Sequence, residues 1–337
     1  MHENREWLAT HGVFYPKAPP EHPIKEQHRF LVDAIYEHKH DLSKAEEVWS
    51  FVCEQICHSG LQKAVISEEV FWHLFEQKPA KRAEVIPWIQ RQLEGFEVKV
   101  ICYVRRQDQW IESWYNQIVK TDVTKASQRS IEEFVAWYID IGLLNYNRVL
   151  GEWADVFGDD NVILHSFEPV RFLNGNAIHD FCGILGIHEF EGVIYPEDLQ
   201  ASLTNAACEF SQQFNRSRKA RRFKSQMRNV LSEFEGDKSD RRRYLPATLA
   251  KEILALYEPS NRLVASRFMR NDEELFMDKA VARPKLDYPG ISASELSRIV
   301  VEIFIQQQSQ IQLLQKKISE LETQVTPCIR IEDGLHE

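Results

Sequence analysis

The chain has 337 residues, 43% of them hydrophobic and 27% charged, with a formal net charge of −10. That is globular composition, long enough for one large domain with an appendage or for two small domains. The acidic balance argues against a dedicated nucleic-acid binder, and no run of about 18 apolar residues is present to form a membrane span. With no apolar N-terminal leader segment either, a cytoplasmic location is expected.

In chain order, MHENREWLATHGVFYP reads as the back half of an amphipathic helix, with Trp7 and Leu8 apolar and Gly12 at the C-cap position. Val13, Phe14 and Tyr15 then read as extended chain, closed by Pro16. KAPPEHPI (17–24) is a Pro-rich loop. Residues 27–40 and 43–58 read as helices, the second opened by Ser43 with Glu46 as a capping box. The helical period of VWSFVCEQICHSG places Cys53 on an apolar face. No second ligand pair accompanies Cys53, Cys57 and His58, so no metal is expected. The six cysteines are scattered and do not form a disulfide framework.

KAVISEE (63–69), FEVKVICYV (96–104) and NVILHSFE (161–168) are short apolar runs of strand character. Helical stretches at 81–94, 107–120, 130–141, 145–157 and 176–186 separate or follow them. This alternation predicts an α/β fold with a mostly parallel sheet, whose ligands sit beyond the carboxyl ends of the strands. From about 200 to 277 the chain reads as all helix, with a basic segment FNRSRKARRFKSQMR at 214–228. Residues 279–292 read as a linker and 293–327 as a coiled-coil-like helix before a tail at 328–337. Leu296, Val300, Ile303, Gln307, Ile311, Leu314, Ile318, Leu321 and Val325 form a heptad-like seam with one stutter. That helix either pairs with a second copy, giving a homo-oligomer, or packs in cis.

The informative stretch is ICYVRRQDQWIESWYNQIVK (101–120). A buried strand ends at Val104, Arg105 and Arg106 follow at its carboxyl end, and Ser113 lies eight positions after Arg105 on the next helix. A guanidinium fork and a hydroxyl so placed suit a phosphate or sulfate. The bland alternative pairs Arg105 with a surface carboxylate and leaves Ser113 as a helix residue.

This segment resembles the 3′-phosphate-binding segment of sulfotransferases that use 3′-phosphoadenosine 5′-phosphosulfate (PAPS), in the form found in the bacterial sulfotransferase-like group. VISEEVFW (65–72), LNYNRVLGEWADVFGDDNVILHSFEP (144–169), FCGILGI (181–187), SLTNAACEF (202–210) and YEPSNRLVASRFMRNDEELF (257–276) are similar to that group in the same order. The resemblance covers about residues 3–277 and implies one sulfotransferase-like domain over 1–278, with a P-loop-type parallel sheet flanked by helices. Arg105 and Ser113 would hold the 3′-phosphate of PAPS. Ser67, Glu68 and Arg106 would face the same cleft, Trp110 and Trp114 would cover an adenine, and His28 would be the catalytic base. The acceptor would be a carbohydrate or small-molecule hydroxyl.

The resemblance also exposes a difference. Neither GxxxxGK[ST] nor KxGTT occurs, although such a loop would cradle the 5′-phosphosulfate. The family order places that loop and its strand before ENREWLATHGVFYP, so both are expected upstream of Met1. Two readings follow: a sulfotransferase whose sequence continues upstream, or a catalytically inactive remnant that binds without transferring a sulfuryl group.

Overall fold

Among the described residues, four short strands form two separate parallel ribbons, each made from strands that are far apart in sequence. A computed structural model describes residues 1–23, 27–122, 124–195, 202–217, 219–234, 242–269, 274–277 and 287–332. The elements in chain order are α1 (Arg5–Thr10), β1 (Val13–Phe14), α2 (Arg29–Glu37), α3 (Ser43–His58), β2 (Lys63–Ala64), α4 (Pro79–Gln92), β3 (Val100–Val104) and α5 (Gln107–Thr121). They continue with α6 (Ile131–Asp140), α7 (Tyr146–Phe157), β4 (Val162–Ser166), α8 (Ala177–Ile184), α9 (Asn205–Asn215), α10 (Ala220–Glu233), α11 (Ala247–Phe268) and α12 (Ala293–Glu332). The protein is thus a helix-rich α/β structure with small parallel sheets.

Local sequence explains most element ends. Gly12 ends α1 at φ +76°, a backbone region that side chains with a Cβ avoid. Asn145 and Asn176 cap α7 and α8 by accepting backbone N–H groups with their side chains. The expected capping box at Ser43 does not form. Instead Asp41 accepts both the Ser43 N–H (3.2 Å) and the Ser43 hydroxyl (2.6 Å). The strands are shorter than expected, because only Lys63–Ala64 of the 63–69 run and Val100–Val104 of the 96–104 run are laddered.

The described chain groups into two compact units. The first comprises residues 1–110, 135–199 and 250–283, the second 111–134, 200–249 and 284–337. The expected 1–278 domain is spread over both, and α12 groups with the second. In the first unit, α2, α3, α4 and α7 bury Phe30, Leu31, Trp49, Ile86, Trp88 and Trp153 in one core. The β3–β4 ribbon lays Val104, Val162 and Leu164 against Tyr146, Leu150 and Val264 in a second. A third joins Leu8, Val13, Tyr15 and Val65 to Cys182 of α8 and to Leu185 just after it. Full burial of each such side chain is worth about 1.5–3 kcal/mol.

In the second unit Glu112 of α5 accepts the Arg243 guanidinium (2.7 and 2.9 Å) and the backbone N–H groups of Tyr244 (2.7 Å) and Leu245 (3.1 Å). The basic segment contributes to the interior of this unit through one residue. Lys224 is buried and donates to Val119 O (2.6 Å), Asn215 Oδ1 (2.7 Å) and Ser211 Oγ (3.3 Å). Of the predicted segments, Arg218 of the basic run, 279–286 of the linker and 333–337 of the tail lie outside the described residues. No helix among the described residues is long and apolar enough to cross a membrane.

Candidate functional site

The strand tips of the first unit carry most of the residues singled out in the sequence. At the β1–β2 tip, His28 is fully buried and spans the two chain segments that leave the ribbon. Its Nδ1 accepts the Ser67 backbone N–H (2.9 Å), and its Nε2 lies 3.2 Å from Pro16 O. The first contact requires an unprotonated Nδ1, so Nε2 carries the hydrogen and donates to Pro16. The His28 backbone N–H also donates to Ser67 O (3.3 Å). Burial holds the imidazole neutral, with its pKa lowered to about 4 even though the Pro16 and Ser67 bonds oppose that shift. Both ring nitrogens are therefore occupied. The structure gives His28 the work of tying two loops together, which leaves no nitrogen free to accept a proton from an acceptor hydroxyl.

The neighbouring groups close this tip further. Arg5 donates to Tyr15 O (3.0 Å) and Pro16 O (3.3 Å). The Tyr15 ring lies 4.4 Å from the imidazole, centroid to centroid, and burial raises its phenol to about 12. Ser67 enters through its backbone. Glu68 Oε1 accepts the Val70 N–H (3.0 Å), starting the short 3-10 turn Glu69–Phe71. Its Oε2 is buried without a partner among the described residues, and burial, more than any neighbour, raises its pKa.

The β3–β4 tip is organised differently. Arg105 follows β3 directly and is half-buried. Its guanidinium carbon sits 4.7 Å from the centroid of the Phe167 ring, at the end of β4. Its carbonyl accepts the Tyr146 hydroxyl (2.6 Å), which fixes the backbone beneath the side chain. Burial lowers the guanidinium pKa, yet among the described residues no carboxylate pairs with it. An arginine that has lost hydration without gaining a counter-ion is an attractive position for an anion.

Arg106 has the opposite fate. It turns into the protein and makes a bidentate pair with Asp108, Nε–Oδ1 2.7 Å and Nη2–Oδ2 3.0 Å, with both residues buried. The expectation that Arg106 faces the cleft is therefore replaced. The acidic residue two positions on captures it, because a buried guanidinium needs a carboxylate. Ser113 lies in the second unit, exposed on α5, with no hydrogen-bond partner among the described residues. Trp110 stacks on His73 (5.8 Å, 21°) and meets Tyr138 edge-on (5.7 Å). It is thus part of an aromatic cluster.

Beside Arg105 the ribbon carries a cluster that the sequence did not reveal. Tyr103 and His165 are register partners on β3 and β4. Asp180 Oδ2, from α8, accepts the Tyr103 hydroxyl (2.7 Å) and the His165 Nδ1–H (2.8 Å). Asp180 Oδ1 accepts the Leu173 N–H (3.1 Å). This orients His165 with Nε2 as its basic nitrogen, on a ring that remains 34% exposed. Tyr103 and Arg105, like His165 and Phe167, are two residues apart on one strand path, so all four belong to one sheet face. That period was the only available signal, because Asp180 is 77 residues from Tyr103.

No described cluster of three His, Cys, Asp or Glu side chains is arranged to hold a metal ion. A shallow groove on α3 is lined by Glu46, Glu47 and Glu54 with Ser43, Ser50 and Phe51, a charge unsuited to an anionic ligand.

Comparison with known proteins yields little that bears on this site. No family model matches the chain, and no solved structure does. A protein of Archaeoglobus fulgidus described as uncharacterized is 36% identical over 107 residues, which is 32% of this chain and 27% of that protein. The chain therefore spans about a quarter of that relative's length.

Proposed function

We propose that this chain carries a sulfotransferase-like domain that binds a phosphorylated nucleotide through Arg105. One observation carries the proposal. Arg105 stands at the carboxyl end of a parallel strand, half-buried over Phe167, without a carboxylate partner among the described residues. This is the position where open α/β sheets receive ligands. Ser113 is the second ligand that the resemblance assigns to the 3′-phosphate. Its pairing with Arg105 rests on sequence alone.

The parallel pairing of β1 with β2 and of β3 with β4 supports the parallel character of the sheet that the resemblance implies. Because the sequence lacks the loop motif, we expect weak adenosine 3′,5′-bisphosphate binding and no sulfuryl transfer from PAPS to a carbohydrate or small-molecule hydroxyl.

A thermal-shift titration tests this reading. A ligand at 100 times its Kd stabilises the folded state by about 2.7 kcal/mol, so saturating adenosine 3′,5′-bisphosphate should raise the Tm. Arg105→Ala should abolish the rise and Ser113→Ala should weaken it. An equal rise in wild type and Arg105→Ala would remove Arg105 from the site. Transfer of labelled sulfate from PAPS by the 337-residue chain would refute the inactive reading.

A further inference from the structure

The helix α12 has two apolar faces with different surroundings. One packs on α9 and α10 of its own unit: Ile299 is fully buried, while Glu295, Ile303 and Gln306 are half-buried. The start of the helix is anchored there. Ser292 and Glu295 form a reciprocal capping box, and the Arg298 guanidinium lies 5.3 Å from the centroid of the Phe234 ring. From Gln307 to Leu321 every residue is exposed, including Ile311, Leu314 (58%), Ile318 (54%) and Leu321 (60%).

The burial pattern also removes the stutter read from the sequence. Ile303 belongs to the home face, while Phe304 is 59% exposed and takes its place in the outer stripe. Val300, Phe304, Gln307, Ile311, Leu314, Ile318, Leu321 and Val325 are then spaced 4-3-4-3-4-3-4. The a positions are Phe304, Ile311, Ile318 and Val325, and the d positions are Val300, Gln307, Leu314 and Leu321.

We propose that this stripe is the seam of a parallel, two-stranded coiled coil formed with the α12 of a second copy. Three features select that partner. Three of the four a positions are β-branched and the last two d positions are Leu, a combination that favours two parallel strands. The sequence places Lys317 at g and Glu322 at the following e, so a parallel pair brings opposite charges together on both sides. Finally, the 40-residue helix is about 60 Å long, helices draw most of their stability from packing an amphipathic face, and here Ile311, Leu314, Ile318 and Leu321 of that face remain exposed.

Sedimentation equilibrium of the full chain tests the proposal. At about 10 µM the wild type should have twice its 39.5 kDa chain mass. The double substitution Leu314→Asp/Ile318→Asp should raise the dimer dissociation constant at least about 100-fold, while the unfolding transition of the rest of the chain is unchanged. In a Cys57→Ser/Cys328→Ser background, needed because the same register puts Cys328 at d, Leu321→Cys, at d, should cross-link on mild oxidation, and Lys316→Cys, at the outer f position, should not. A monomeric wild type would overturn the proposal. A dimer indifferent to the double substitution, or one cross-linking equally through both cysteines, would do the same.

Discussion

The two strand tips of the first unit respond to the same physical problem in opposite ways. At the β1–β2 tip, the buried histidine, a backbone N–H and a carbonyl satisfy one another, with Arg5 as a second donor. At the β3–β4 tip, Arg105 is packed against an aromatic ring and left without a counter-charge among the described residues. The first arrangement lowers the energy of the fold. The second leaves a cation whose cost only an added anion can offset. A histidine at a strand tip is thus a poor guide to chemistry unless a ring nitrogen is open, and an unpaired arginine is a better one.

The comparison would break first at His28. His28→Ala removes the acceptor for the Ser67 N–H and the donor to Pro16 O, and it leaves a void beside Tyr15. Each orphaned buried group costs about 1–3 kcal/mol, so a total loss of about 3–5 kcal/mol is expected in urea denaturation. A loss below about 1 kcal/mol would show that this tip is not closed by His28.

Acid should reopen the same tip by a second route. The folded-state pKa of His28 is about 4, below the usual 6.5, so between those values the unfolded chain binds the extra proton. The stabilisation from a neutral His28 is present above pH 6.5 and is lost as pH falls through 4. The gap corresponds to about 3 kcal/mol at most. Comparing wild type with His28→Gln from pH 7 to 4 isolates it, since only wild type carries the titrating ring. Parallel stability curves for the two proteins would contradict the assignment.

Much of this fold was legible in the sequence, for identifiable reasons. The apolar runs at 100–104 and 162–166 are bounded by polar turns, and a short buried strand has few other readings. Helix ends at Gly12, Asn145 and Asn176 follow from backbone preferences that act locally. Arg105 was visible because its place depends only on the end of a strand. The roles of His28 and Arg106 were not visible, since each depends on what it meets. Asp108 and the Ser67 backbone decide those roles, and burial makes the decision binding. The Tyr103–His165–Asp180 cluster was hidden for the same reason, because its members come from three elements.

The smallest expected effect on stability is the sharpest test of the contrast. Arg105→Ala removes a cation–π contact worth about 0.5–1 kcal/mol, and it also removes the cost of holding a desolvated charge without a partner. These terms oppose each other, so the variant should unfold within about 1 kcal/mol of wild type. Arg105→Lys should retain a cation but lose the planar stack and the two-pronged donor geometry, and so bind adenosine 3′,5′-bisphosphate more weakly at equal stability. If Arg105→Ala instead unfolds as readily as His28→Ala, Arg105 is a structural residue. The two tips would then be variants of one closed arrangement.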